Sequence, residues 1–548
     1  MERRAVVATA LALAVLLGYY AFFMPVPPPP PVDREKQEKE TAQEAAPPVV
    51  VETPATVQRI SGPLRRADRE EQITLETDLL SVMLSNRGGG VRSWQLKRYE
   101  ETVGLVDLVG AVPGEGVPLP LATTIQGGEG NTGLYRIVER PSGDAAAPQR
   151  AVLEFQETSG LLLEKTIILH PGRYMADVEI RLKNMGQAAI RAPLRLQWGP
   201  GFRIAQKNSA VEPALPAAWI DGKLVHPNVV EADQDLAHPG PMVWTALHDR
   251  YFAAALIPDD PDALSFVAKD VEGRPMVGLL YPALDIAPGT EKVVELKLYA
   301  GPKELKRLRE AGHNLHDLVN LGWFDFLAWP ALYFLQFLNG FVGNYGVAII
   351  MITLIQKIAF FPLAHKSHKS MQAMQALQPK MQAIKEKYKN NPQKINQETM
   401  ELYKKQGVNP LGGCLPMVIQ IPIFIALYNA LSSSVELWHA PFTLWITDLS
   451  APDILFSIPI AGDAFPIRAL ALIMGISMFI QQKMTPVGMD PRQAKMMLYM
   501  MPVMFTFIFW AMPSGLVLYW LVNNVLQIGH QYHLNRTFKV SAAAGKAE

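Results

Sequence analysis

Residues Ile352–Leu363 read ITLIQKIAFFPL, an apolar run with one cation, Lys357, inside it. The run closes a longer apolar segment, about 343–363, which reaches the ~20 residues that a membrane-spanning helix needs. A lysine facing lipid near the middle of such a helix costs ~2.5–3.5 kcal/mol on insertion scales. Lys357 therefore either extends to the interface or faces something polar inside the protein. It precedes Leu363 by six residues, or ~9 Å of helix, which a snorkelling side chain can cover. Thr353, Gln356 and Lys357 fall at i, i+3 and i+4 and share one helical face.

Four further apolar segments follow, at about 411–431, 465–482, 497–512 and 514–532. Gln420 sits inside the first of them, and Asn524, Gln527 and Gln531 form a polar stripe in the last. Polar side chains on several spans are expected to point into one shared wet cavity with Lys357. The 497–512 segment is short of a full bilayer crossing, which favours local thinning of the membrane. It is also dense in methionine, Met500 and Met504 included. This reads either as ordinary lipid-facing packing or as a soft wall that repacks around different apolar segments.

The charges between the segments orient them. The loop after the first span carries nine lysines against three glutamates over residues 364–407 and is expected in the cytoplasm. The next loop carries Glu436, Asp448 and Asp453 with no Lys or Arg before Arg468, and faces outside. The QQKMTPVGMDPRQAK loop is net basic and returns to the cytoplasm, as does the tail at 535–548 with Arg536 and Lys539.

At the other end of the chain MERR precedes an apolar run from Ala5 to Met24. It reads as an uncleaved signal anchor, residues 1–24, with its N-terminus in the cytoplasm; a cleaved signal peptide is the alternative. The anchor makes six spans with both termini inside. Residues 25–62, rich in proline and charge, read as a periplasmic linker.

Across 63–301 the period changes to two. In ADVEIRLK, Ala176, Val178, Ile180 and Leu182 fall on one face and Asp177, Glu179, Arg181 and Lys183 on the other. Short alternating strands punctuated by Gly, Pro and Asn predict a large periplasmic antiparallel β-sandwich. Residues 302–342 read as a charged helix followed by an aromatic one, Trp323–Phe341, interrupted by Pro330. Its aromatics and Asp325 fit an amphipathic helix lying on the outer leaflet; its length alone would also allow a span.

The basic loop at 364–408 reads as a cytoplasmic helical hairpin. Met371, Met374, Met381 and Ile384 make one apolar stripe, the NNP at 390–392 breaks the helix, and Ile395, Thr399 and Leu402 begin a second stripe. The stripes pack on each other, and the methionines also suit an adaptable surface for varied partners. The lysines would face water, lipid headgroups or ribosomal RNA.

Overall composition sets outer limits. The chain of 548 residues is 49% hydrophobic and 19% charged with no net charge, and its one cysteine, Cys414, forbids an internal disulfide. No HExxH, GxSxG or P-loop is present, so no catalytic residue, metal site or cofactor is expected. His313 and His316 form an HxxH without further ligands nearby.

The runs YKKQGVNPLGGCLPMVIQIPIFIALYNAL, APFTLWITDLSAPD and MPSGLVLYWLVNN closely resemble the YidC membrane protein insertases of Gram-negative bacteria. The resemblance covers anchor, periplasmic domain, five-span core and basic hairpin. It implies a non-enzymatic insertase and chaperone of the inner membrane. Its partners would be nascent membrane proteins, the Sec translocon, the ribosome, the signal recognition particle machinery and the lipid bilayer, with no nucleic acid substrate. It also implies a positively charged hydrophilic groove, open to cytoplasm and lipid. Lys357 stands where the family usually places an arginine, so the charge is kept and the guanidinium fork is not. Thr353 matches a groove threonine, and Tyr519 and Trp520 lie in a stretch that contacts clients. The β-sandwich resembles sugar-mutarotase-like domains, a fold analogy that carries no sugar chemistry. An ion-coupled transporter and a membrane-anchored carbohydrate enzyme are the rival classes. Against the first stand five spans without an inverted repeat or paired acidic residues.

Overall fold

The structure, a computed structural model, describes residues 64–544 apart from 102–103, 110–117, 126–127, 201–213, 228–240, 261–262, 270–272, 390, 409–414, 461–462 and 486–490. The expected anchor, the linker, Cys414 and the start of the 411–431 span lie outside the described residues.

The alternating segments become strands. In chain order they are β1 (Gln72–Glu76), β2 (Leu80–Ser85), β3 (Gly90–Glu100), β4 (Leu105–Asp107), β5 (Thr124–Ile125), β6 (Arg136–Glu139), β7 (Gln149–Gln156), β8 (Leu161–Leu169), β9 (Met175–Asn184) and β10 (Ile190–Trp198). There follow β11 (Leu215–Ile220), β12 (Lys223–Val225), β13 (Met242–His248), β14 (Phe252–Pro258), β15 (Leu264–Lys269), β16 (Pro275–Ile286) and β17 (Glu291–Pro302). A nine-stranded sheet runs β12-β11-β13-β14-β17-β9-β8-β7-β6, beside four-stranded sheets β1-β2-β3-β4 and β15-β16-β10-β5. All pairings are antiparallel among the described strands.

In β9 the even-numbered residues from Ala176 to Asn184 are buried and the odd-numbered ones are not, the alternation that ADVEIRLK predicts. Trp94 and Trp198 meet edge to face, with ring centroids 5.8 Å apart in the core. Each indole keeps its N–H satisfied: Trp94 donates to the Ala300 carbonyl at 3.0 Å and Trp198 to the Leu108 carbonyl at 3.3 Å. Lys165 is fully buried, donating to the carbonyls of Gly89 and Leu121, and burial lowers its ammonium pKa to about 7.

The helices follow: α1 (Leu305–Ala311), α2 (Asp325–Val342), α3 (Tyr345–Ala376), α4 (Gln378–Lys387), α5 (Pro392–Lys405), α6 (Leu415–Ser433), α7 (Ala469–Met484), α8 (Pro491–Trp510) and α9 (Ser514–Ala544). Among the described residues, α3 is long and apolar enough to cross a membrane by length and composition. The apolar helices at Val418–Ser433, Ala469–Met484 and Lys495–Trp510 are shorter. A second core gathers Leu335 and Leu338 of α2, Ile349 and Ile352 of α3, Leu427 of α6 and Met474 of α7. Close approach of α7 and α8 needs Gly475: a Cβ there would lie 2.0 Å from Oγ1 of Thr506.

The aromatic segment is helix α2, with Ala328, Leu332, Leu335 and Leu338 buried. Trp323 just before it, and Phe326, Phe337 and Phe341 on it, are exposed. Two boundaries depart from the sequence reading. The helix expected to end near 363 continues through Pro362 to Ala376, so Met371 and Met374 ride on α3 and only Met381 and Ile384 on α4. The segment expected to enter the membrane at 465 begins as strand, because β18 (Phe456–Ile460) and β19 (Asp463–Ile467) form a hairpin and α7 starts at Ala469. Residues 463–467 pair instead with 456–460, Phe465 opposite Ile458 and Ile467 opposite Phe456, so the helix begins only after this ladder ends.

Residues 361–416 belong to a separate compact unit. Within it the Asn391 side chain caps α5 by accepting from the Lys394 amide at 3.1 Å, with Pro392 opening the helix. The Tyr403 hydroxyl lies 3.1 Å from the Met381 sulfur, and Met381, Ile384, Ile395 and Leu402 are half-buried. The two stripes thus face each other.

Candidate functional site

A polar seam joins helices α3, α6 and α9. Lys357 donates from Nζ to Oδ1 of Asn523 at 2.9 Å. Beside it, Gln420 of α6 donates from Nε2 to the Tyr519 hydroxyl at 2.9 Å, and that hydroxyl donates to Oε1 of Gln356 at 3.3 Å. Among the described residues no carboxylate lies within ion-pair distance of Lys357. An amide satisfies one proton of the ammonium and leaves its net charge uncompensated, so the site can still attract an anion.

Thr353 is buried and donates back to the Ile349 carbonyl at 2.6 Å, so its hydroxyl serves its own helix. Asn524 is also buried and turns elsewhere, donating to Ser477 Oγ of α7 at 3.1 Å. Gln531 continues this second seam toward α7 through Oγ1 of Thr485 at 2.9 Å. Gln527 is half-buried on α9 between them. The amides of α9 therefore divide between two helix interfaces instead of entering one cavity together. Sequence spacing singled out Asn524, whereas the partner of Lys357 is its neighbour Asn523. The adjacent pair Asn523-Asn524 was the available signal, because one step of 100° separates the two interfaces.

Tyr519 is fully buried, its hydroxyl joining the two glutamines. Trp520 is half-buried in an aromatic cluster, 4.9 Å from Phe424, 5.3 Å from Phe509 and 6.0 Å from Phe505 between ring centroids. Met500 and Met504 of α8 are exposed, at 61% and 48%, and share an outward stripe with Val503 and Phe507. Of the four residues expected to meet an incoming segment, the two methionines therefore present open surface. Among the described residues no His, Cys, Asp and Glu cluster could hold a metal ion.

A second junction joins the strands to the helices. In the α6–α7 connection, Trp438 donates from Nε1 to the Glu100 carbonyl of β3 at 3.1 Å. Its ring lies edge-on to Tyr251 at 4.9 Å and Phe252 at 5.6 Å. Glu436, two residues earlier, accepts from Gln336 of α2 and from Ser434, each at 2.8 Å. Burial raises its carboxyl pKa above the usual range. The sequence held no sign of this junction.

Two family models match this chain: "YidC periplasmic domain" over residues 72–334 and "60Kd inner membrane protein" over residues 337–542. The membrane protein insertase YidC of Syntrophus aciditrophicus is 38% identical over 559 residues, spanning 98% of this chain and all of that one. That of Geobacter sulfurreducens is 39% identical over 571 residues, spanning 99% and 100%. A solved structure of an active YidC insertase with its first transmembrane domain resolved aligns over 86% of this chain and 94% of its own, at 19% identity and a TM-score of 0.37. This is an inner-membrane protein with a β-rich periplasmic domain and a helical membrane region. The chain belongs to the YidC family of membrane protein insertases.

Proposed function

We propose that this chain moves nascent membrane proteins into the inner membrane by lowering a solvation barrier, without covalent chemistry or a cofactor. The observation that carries the reading is the Lys357–Asn523 pair at 2.9 Å, an ammonium held by an amide among apolar helices. Polar flanks of an incoming segment would be drawn toward this charge and solvated by the Gln356–Tyr519–Gln420 seam, which lipid cannot do. The apolar part would slide along the exposed methionines of α8 and leave sideways into lipid. The short apolar stretch Lys495–Trp510 favours a locally thinned bilayer at that point. In this reading both termini are cytoplasmic, the five helical spans and the anchor give six crossings, and the basic hairpin meets ribosome-bound chains. Action alone or beside the Sec translocon fits the same surface.

Photocrosslinking tests it. A photoreactive residue placed at Met504 is expected to capture stalled nascent membrane proteins, while one at Val138 on the β domain captures none. Equal capture at both positions, or none at Met504, would overturn the path.

A further inference from the structure

The β18–β19 hairpin has no role in the seam or in the junction, yet it carries an unusual surface. Its strands pair Phe456 with Ile467 and Ile458 with Phe465, which by alternation lie on one face. Ser457, Pro459, Ala464 and Pro466 lie on the other. Phe456, Ile458 and Phe465 are 52%, 40% and 46% exposed, with Ile454 and Leu455 just before them exposed as well. Neither strand bears a Lys, Arg or Glu; the one acid, Asp463, is the first residue of β19.

The surroundings of the hairpin say what covers this face. The Phe465 ring stacks on Trp510, with centroids 5.8 Å apart, and Trp510 is the last residue of α8. Arg468 donates to the Trp510 carbonyl, tying the foot of the hairpin to the same helix end. The apolar face is therefore continuous with helices whose own outward residues, Ile476 of α7 and Phe507 of α8, are 61% and 72% exposed to what is lipid in an inner-membrane protein. Aromatic residues at helix ends occupy the membrane–water interface, where a ring has both an apolar and a wet neighbour. A proline on each strand removes a donor that an added strand would need, which disfavours a pairing protein chain as the occupant. The same connection carries Trp438, which bonds to the periplasmic β domain, so the hairpin stands on the periplasmic side.

We propose that the paired strands β18 and β19 are a membrane anchor, laying their Phe456/Ile458/Phe465 face into the interfacial layer of the periplasmic leaflet. They pin the outer ends of α7 and α8 at a fixed depth, while their Ser457/Pro459 face stays toward water.

The test is spin-label accessibility in the full chain. A Cys414→Ser background carries Ile458→Cys, Ser457→Cys, Val138→Cys or Ile476→Cys, nitroxide-labelled and reconstituted in phosphatidylethanolamine–phosphatidylglycerol vesicles. Each protein is first shown to keep its far-UV spectrum. Position 458 is expected to be reached by oxygen far more than by a water-soluble nickel chelate, shifted toward the lipid reference at 476. Position 457 should shift toward the aqueous reference at 138. Chelate access at 458 equal to that at 138 would place the face in water and overturn the proposal. Shielding of 458 from both reagents would mean that protein, from this chain or a second copy, covers it, and would overturn it equally.

Discussion

The ammonium of Lys357 and the side-chain carbonyl of Asn523 meet at 2.9 Å, joining α3 to α9 through a neutral partner. The consequence is a cation that is oriented but not neutralised. Across ~8 Å at an effective dielectric of ~20, it attracts a carboxylate by about 2 kcal/mol. That is enough to bias capture of an acidic tail and too little to trap it. Lys357→Arg is expected to retain insertion activity, and Lys357→Ala to slow clients with acidic translocated tails while sparing neutral ones. Lys357→Glu should be the poorest of the three. The measurement is insertion of tail-matched clients into proteoliposomes; equal rates for the alanine and glutamate variants on every tail would remove the charge from the mechanism.

Tyr519→Phe removes the hydroxyl that accepts from Gln420 and donates to Gln356. Two half-buried amides lose a partner, at a cost of about 1 kcal/mol. A lower melting temperature of the detergent-solubilised chain is expected, partly recovered by adding Gln420→Leu, which removes one of the unsatisfied groups. A Tyr519→Phe protein as stable as wild type would show the seam to be energetically idle.

Trp438→Ala deletes the indole that bonds to Glu100 and packs on Tyr251 and Phe252. For a half-buried tryptophan the loss is about 2 kcal/mol. Amide exchange at the Glu100 end of β3 should accelerate, and Trp438→Phe should restore most of the protection because the ring contacts survive. Unchanged exchange in the alanine variant would deny the junction its role.

Glu436 yields a pH prediction with a definite sign. Its carboxyl is raised by burial, so between the ordinary glutamate value near ~4.3 and its raised value the folded chain holds the proton more tightly than the unfolded one. The group therefore adds no penalty below that ordinary value and costs stability as pH rises through the raised one. Glu436→Gln keeps an acceptor for Gln336 and can donate to Ser434. It should melt higher than wild type at pH 7 to 8, with the gap closing toward pH 4. A gap independent of pH would mean that the carboxylate is not the cause.

The expected orientation is checked with single cysteines in the Cys414→Ser background. Leu444→Cys, 82% exposed in the α6–α7 connection, should react with a membrane-impermeant maleimide in intact spheroplasts. Lys380→Cys in the hairpin should react only after lysis. The reverse pattern would invert the topology.

Period and charge were legible in the chain itself. Alternation in ADVEIRLK specified strand β9 and its buried face, because a strand shows opposite faces at successive residues whatever its neighbours are. Apolar length marked α3, and the 3.6-residue repeat put Thr353, Gln356 and Lys357 on one helical face. Partners were not legible, since they depend on how helices rotate against one another. Asn523 and Asn524 are sequence neighbours, yet a 100° step sends one to Lys357 and the other to Ser477. The resemblance puts Tyr519 in a client-contacting stretch, and only packing shows it buried as the bridge between two glutamines. The Trp438 junction spans more than three hundred residues of chain, and no local period encodes such a contact. Local preference set the elements; the close packing of α3, α6, α7 and α9 decided which polar group met which, because a buried donor is costly unless an acceptor lies within its own interface.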